Sequence, residues 1–221
     1  IGLQGPGDLV TVRGHWMAPR LQLRPGGAYA NRGGQLLARS IVSAEEGGDT
    51  SLEIHAASVD NTGGQLLALD QLSLTATAGL LDNSEGTIAG GHVELHGVER
   101  LTNRGGTLYV DNALRLRALD NAGGVVDSSA SLAIEAPGQA VDNRGGAIVA
   151  KGPLALQAQQ LDNTGGLLAT SEDASLAVAG DFDNTDGVLR ANGHLVLQAL
   201  RTLNPGGVIA GLQALALARG D

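Results

Sequence analysis

The chain has 221 residues, a formal net charge of −9 and no cysteine, with a pI near 4.9. Disulfide staples and thiol chemistry are therefore excluded. A single lysine, Lys151, and arginines scattered along the whole chain argue against a nucleic-acid partner.

Only Trp16, Tyr29, Tyr109 and Phe182 are aromatic, so the core must be aliphatic. Glycine, at 34 residues, is well above ordinary usage without the Gly-X-Y period of collagen, which implies frequent, ordered turns. Residues 1–19 read as an irregular or partial first coil. They open on IGLQGPGD, neither a start methionine nor a signal sequence, as expected of a piece cut from a longer protein. RGHWMAPR, from Arg13 to Arg20, holds the sole Trp and Met, and Trp16 reads as packing over an uneven coil. No apolar run approaches the roughly 18 residues that span a bilayer, so the chain is not expected to be membrane-spanning.

From residue 20 to 221 one pattern recurs. Asparagine marks a turn at Asn31, Asn61, Asn83, Asn103, Asn121, Asn143, Asn163, Asn184 and Asn204, at spacings of 30, 22, 20, 18, 22, 20, 21 and 20. Three residues after each stands glycine: Gly34, Gly64, Gly86, Gly106, Gly124, Gly146, Gly166, Gly187 and Gly207. Five residues after each stands an aliphatic residue, such as Leu36, Leu66, Ile148 and Leu189. A second apolar pair of period two follows (Leu52/Ile54, Leu72/Leu74, Leu154/Leu156), and then a third apolar position before the next turn (Val59, Leu81, Leu161, Phe182).

Each unit is thus short strand, break, short strand, break and Asn turn. No helix fits, because i, i+3, i+4 spacing is never sustained and Gly-Gly recurs. A unit this small cannot bury its own apolar side chains, so neighbours must stack in register. Stacked at roughly 4.8 Å, each Asn lies over the last, and amides can hydrogen-bond up the column. Asn is also expected to take the left-handed backbone conformation of the corner, with glycine permitting close approach.

The pattern [LV]-D-N-x-G-G-x-[LIV]-x-A followed by L-x-[LIV]-x-A resembles the haemagglutinin-type repeats of filamentous haemagglutinin and of contact-dependent growth inhibition toxins. The resemblance covers roughly residues 20–221. It implies an all-β fold, a right-handed parallel β-helix (β-solenoid) of about ten coils with roughly 20 residues per coil. It also implies a shaft segment of a secreted bacterial surface protein, exported through an outer-membrane two-partner secretion transporter. Neither the secretion-recognition domain nor the terminal toxin domain of that family is visible. Departures from the pattern are an insertion near residues 39–50, Glu85 and Asp186 in place of the first glycine, and Thr102 and Leu203 before the Asn. Local bulges are expected there.

Candidate sites are few. The Asp-Asn steps (Asp60, Asp82, Asp120, Asp142, Asp162, Asp183) suggest an acidic column, yet calcium-binding β-rolls place Asp after the glycines, so these read as caps of their own turns. GHVELH puts His92, Glu94 and His96 on one outward face, about 6.7 Å between alternate residues, with no recurring histidine to complete a metal site. No cofactor is expected. The dispersed charge and paired carboxylates such as Asp181/Asp183 beside a turn do not make a catalytic groove. The insertion carries Glu45, Glu46 and Asp49, a possible binding loop. On that alternative the segment itself is an adhesive module for a host or target-cell receptor or glycan.

Overall fold

In the computed structural model, which describes residues 1–39 and 49–219, every regular element is a strand. The chain divides into two compact units, Ile1–Thr102 with Gly106–Asp111, and Asn103–Gly105 with Asn112–Asp221. Within each, strands pair in parallel with the strand one coil away. The result is a β-solenoid, about ten coils in the chain, each roughly 20 residues apart.

The registers follow the repeat. In the first unit Leu36 pairs with Leu66 and Leu66 with Ile88. In the second Val126 pairs with Ile148, Ile148 with Leu168, Leu168 with Leu189 and Leu189 with Ile209. Like thereby stacks on like, and these inward side chains from Leu36 to Leu189 are completely buried. Alternation in the sequence becomes alternation in space: Leu154, Leu156 and Ala158 point inward while Ala155 and Gln157 face out. At about 25 cal/mol per Å² of apolar surface removed from water, this aliphatic column is the main stabilising term of each coil.

The third apolar position closes the core. Val59, Leu81, Leu101, Leu119, Val141, Leu161 and Phe182 are all nearly inaccessible to solvent. Tyr29 occupies the same column, paired with Val59, and its ring is fully buried.

Residues 1–19 form the strands Gly2–Gly5, Leu9–Val10 and His15–Ala18. Each pairs one coil onward, with Gly2 on Gln22, Leu9 on Tyr29 and Trp16 on Leu36. This coil is thinly buried, with Thr11 and Ala18 the residues it hides most completely.

The insertion leaves the register untouched. Ala38 pairs with both Ala18 and Ala68 before it, and Ser51 pairs with Arg20 and Gln71 after it. The return is stitched by Thr50, whose backbone N–H and hydroxyl both donate to Asp70 Oδ2 at 2.7 and 2.8 Å. These bonds hold the Asp70 carboxyl below its ordinary pKa.

Candidate functional site

The feature the sequence repeats is the corner, and its geometry separates the work of Asn from that of the two glycines. At the Asn143 corner, Nδ2 donates to Asn163 Oδ1 one coil on at 2.7 Å, to Leu167 O at 3.1 Å and to Gly146 O of its own coil at 3.4 Å. Its Oδ1 accepts from Asn121 Nδ2 at 2.8 Å. Amide-to-amide bonds of this kind run Asn31 to Asn61 to Asn83 in the first unit, at 2.8 and 2.7 Å. In the second unit they run from Asn103 through Asn121, Asn143, Asn163 and Asn184 to Asn204, at 2.6–2.8 Å. Asn31 through Asn184 are all fully buried, so each unit has a polar column in its interior whose amides bond to one another, with Asn31 Oδ1 the exception at its start.

The left-handed residue is not the Asn, contrary to the reading from sequence. It stands two residues later, at Gly33, Gly63, Gly105, Gly123, Gly145, Gly165 and Gly206, with φ of 61° at Gly145. Glu85 and Asp186 hold the same conformation without being glycine, at φ of 55° and 54°. The Asn is recruited for its side chain rather than its backbone. The glycine three residues on, Gly146 for example, serves sterically: a Cβ there would overlap the carbonyl oxygen of Asn121 in the coil below and lie 2.8 Å from Asn143 Oδ1. No side chain larger than hydrogen fits between stacked corners.

The Asp residues cap their own turns. Asp60, Asp82, Asp162 and Asp183 each accept from the backbone N–H and the hydroxyl of the Thr or Ser two residues later, at 2.6–3.0 Å. The Thr185 hydroxyl and N–H hold Asp183 below its usual pKa. Burial works to raise Asp60, but bonds from Thr62 and Arg32 prevail and lower it. Guanidinium groups sit on this column: Arg32 on Asp60 at 2.6 Å, Arg104 on Asp120 at 2.5 Å, and Arg144 on Asp142 at 2.6 Å with Asp162 at 3.6 Å. Arg144 is the foremost cause of the lowered pKa of Asp142. A column already capped and partly neutralised is poorly suited to a divalent cation.

One corner escaped the search for asparagine. Thr11 stands 20 residues before Asn31, Arg13 is left-handed at φ 50°, and Gly14 lies three residues after Thr11. This is the same corner with Thr in place of Asn, and Trp16 in the place of the inward aliphatic residue. The spacing and Gly14 were the signals available. The hydroxyl does not continue the ladder: Thr11 Oγ1, Tyr29 OH and Asn31 Oδ1 are all buried without a hydrogen-bond partner. Burial pushes the Tyr29 phenol up to about 12, with the nearby Thr11 hydroxyl opposing.

Exposed His92 and His96 flank half-buried Glu94 at 3.3 and 3.5 Å, and His92 Nδ1 lies 3.6 Å from Oδ2 of half-buried Asp111. Among the described residues, no group of three or more His, Cys, Asp or Glu side chains is placed to hold a metal ion, and no helix is long and apolar enough to cross a membrane. Of the possible binding loop, Glu45 and Glu46 lie outside the described residues. Asp49 is exposed, and its carbonyl accepts from Arg20 Nε at 3.4 Å.

A family model described as Haemagglutinin repeat matches residues 47–186 and 182–221. No curated protein and no solved structure matches the chain.

Proposed function

The chain belongs to the haemagglutinin-repeat family, and from that premise we propose that it is a shaft segment of a large secreted bacterial surface protein. Its work is mechanical: it holds a distal binding or toxin-delivering domain away from the cell. On this reading the protein is exported through an outer-membrane two-partner secretion transporter, and the segment carries out no catalysis. The observation that carries the reading is the amide ladder. Each corner presents the same donor to the coil above and the same acceptor to the coil below, so coils can be added without any change of design. The repeated Asp and Asn side chains are spent on this internal work, as turn caps and column partners.

A shaft lengthens by one strand spacing per coil. Duplicating residues 104–204, five coils, in the 221-residue chain is expected to extend the longest dimension in small-angle X-ray scattering by roughly 24 Å. An unchanged dimension with strand content retained overturns the reading. The purified chain is also expected to bind nothing on a glycan array or on intact cells. Specific binding that disappears when residues 40–49 are deleted would instead make this segment the adhesive module.

A further inference from the structure

We propose that the second unit carries a self-complementary face through which two copies of this chain pair side by side with their coils running in opposite directions. The face is the outer surface of the strands that follow the Asn corners. In register up this face stand Val125, Ala147, Leu167 and Val188, half-buried outward side chains whose neighbours Val126, Ile148, Leu168 and Leu189 point into the core. Two residues along the same strands runs a second outward column: Asp127, Val149, Ala169 and Arg190. An apolar centre is thus bracketed by one negative and one positive charge, three coils or roughly 14 Å apart.

Among the described residues the two charges stand apart from the ion pairs of the other turns. Arg24, Arg32, Arg104, Arg115, Arg144 and Arg201 each lie against a carboxylate. Asp127 and Arg190 have no ion pair among the described residues.

The order of these columns names the occupant. A two-fold axis along the strands, passing between the coils of Val149 and Ala169, lays each column on the same column of the partner in reverse. Asp127 then faces the partner's Arg190, and the pair recurs at the other end, as an isologous interface requires. Size is matched as well as charge. Leu167 faces the partner's Ala147, and Val149 faces the partner's Ala169, which its own chain leaves only 5% exposed. The alternative with coils running in the same direction sets Asp127 level with Asp127 and Arg190 level with Arg190, and large side chains level with large. Like-charge juxtaposition of that kind disfavours it. The face is a few hundred Å² per copy at most, against the roughly 800 Å² per partner of a standard interface, so the pair is weak and reversible.

Sedimentation equilibrium of the chain between about 20 μM and about 1 mM tests this, with circular dichroism as the check on folding. The average mass is expected to rise above the monomer toward the upper end. Asp127→Arg and Arg190→Asp are each expected to weaken association about tenfold or more, because each puts like charges across both ends, and the double exchange is expected to restore it. Because the chain has no cysteine, introduced thiols report the direction: a mixture of Val125→Cys and Val188→Cys chains should form an intermolecular disulfide, and Val125→Cys alone should not. A monomer at every concentration, a double exchange as weak as the single ones, or ready self-linking of Val125→Cys each overturns the proposal.

Discussion

The corner at Thr11 and the corner at Asn143 are the same backbone device with different side chains. Both have a left-handed residue two positions on, Arg13 and Gly145, and a glycine three positions on, Gly14 and Gly146. At Asn143 the buried amide both accepts and donates coil to coil. At Thr11 the column stops, and three buried polar atoms on Thr11, Tyr29 and Asn31 are left without partners. The comparison teaches that the turn does not need asparagine to form; it is the stacking of one turn on the next that does. A threonine carries one donor on a short arm, whereas the carboxamide has an acceptor on one side and two donors on the other, which matches a column with a coil above and a coil below.

The largest effects should come from forcing apart what Asn143 joins. Gly146→Ala puts a methyl group onto Asn121 O and within 3.0 Å of Asn121 Nδ2, so coil spacing must yield, at a cost of about 3 kcal/mol or more in urea unfolding. Gly145→Ala is the control: its φ is 61° with open space around the added methyl, and strain alone should cost about 1 kcal/mol. Equal costs at the two positions would show that the glycine pair does not divide its work as described. Asn143→Ala leaves Asn163 Oδ1 unpaired in the interior, while Asn121 Nδ2 keeps Gly124 O and Ala147 O as acceptors, and about 1–3 kcal/mol should be lost. A loss below about 0.5 kcal/mol would mean that the ladder decorates rather than supports the stack.

Among the described residues nine of ten corners were legible, because two physical constraints leave marks in the sequence. The carbonyl of the coil below forbids any Cβ at the position of Gly146, and the column demands a carboxamide at Asn143. The inward residues were legible through period two. What was misread was the origin of the left-handed residue. Glu85 and Asp186 show that side chains are tolerated there, so the position varies, and the invariant Asn drew the attribution instead. Thr11 was missed because the search was keyed to the amide. The outward columns were in the repeat but carried no signal: Asp127 and Arg190 each stand six residues after an Asn, yet an outward position obeys no burial rule, so nothing in the pattern marked the two charges as a pair until the registers stacked them.

Tyr29 makes the weakness of the first corner measurable with pH. Its phenol sits in a column otherwise filled by Val, Leu and Phe, and burial pushes it from its ordinary value near 10 up to about 12. The sign follows from proton counting. Above pH 10 the unfolded chain loses this proton while the folded chain keeps it, so stability is intact below that pH and falls as pH rises toward the folded value. The loss should approach about 2–3 kcal/mol by the end of that window. In Tyr29→Phe this alkaline loss should vanish, while stability near neutrality stays level or rises slightly, because a buried hydroxyl without a partner is removed.

The smallest effect bears most directly on the comparison. Thr11→Asn gives the first corner the group that every later corner has, at a position whose glycine three residues on, Gly14, is already in place. Its Nδ2 should donate to Asn31 Oδ1 as Asn31 donates to Asn61 at 2.8 Å, relieving a buried acceptor. The expected gain is about 1 kcal/mol in unfolding free energy, with greater hydrogen-exchange protection confined to residues 9–18 and their partners in the coil above. Thr11→Val separates this from mere packing. It keeps the shape and discards the hydroxyl, so it should recover little of the gain, because Asn31 Oδ1 stays unpaired. If valine stabilises as much as asparagine, the ladder is not what distinguishes the two corners, and the cost at Thr11 lies in burying its own hydroxyl.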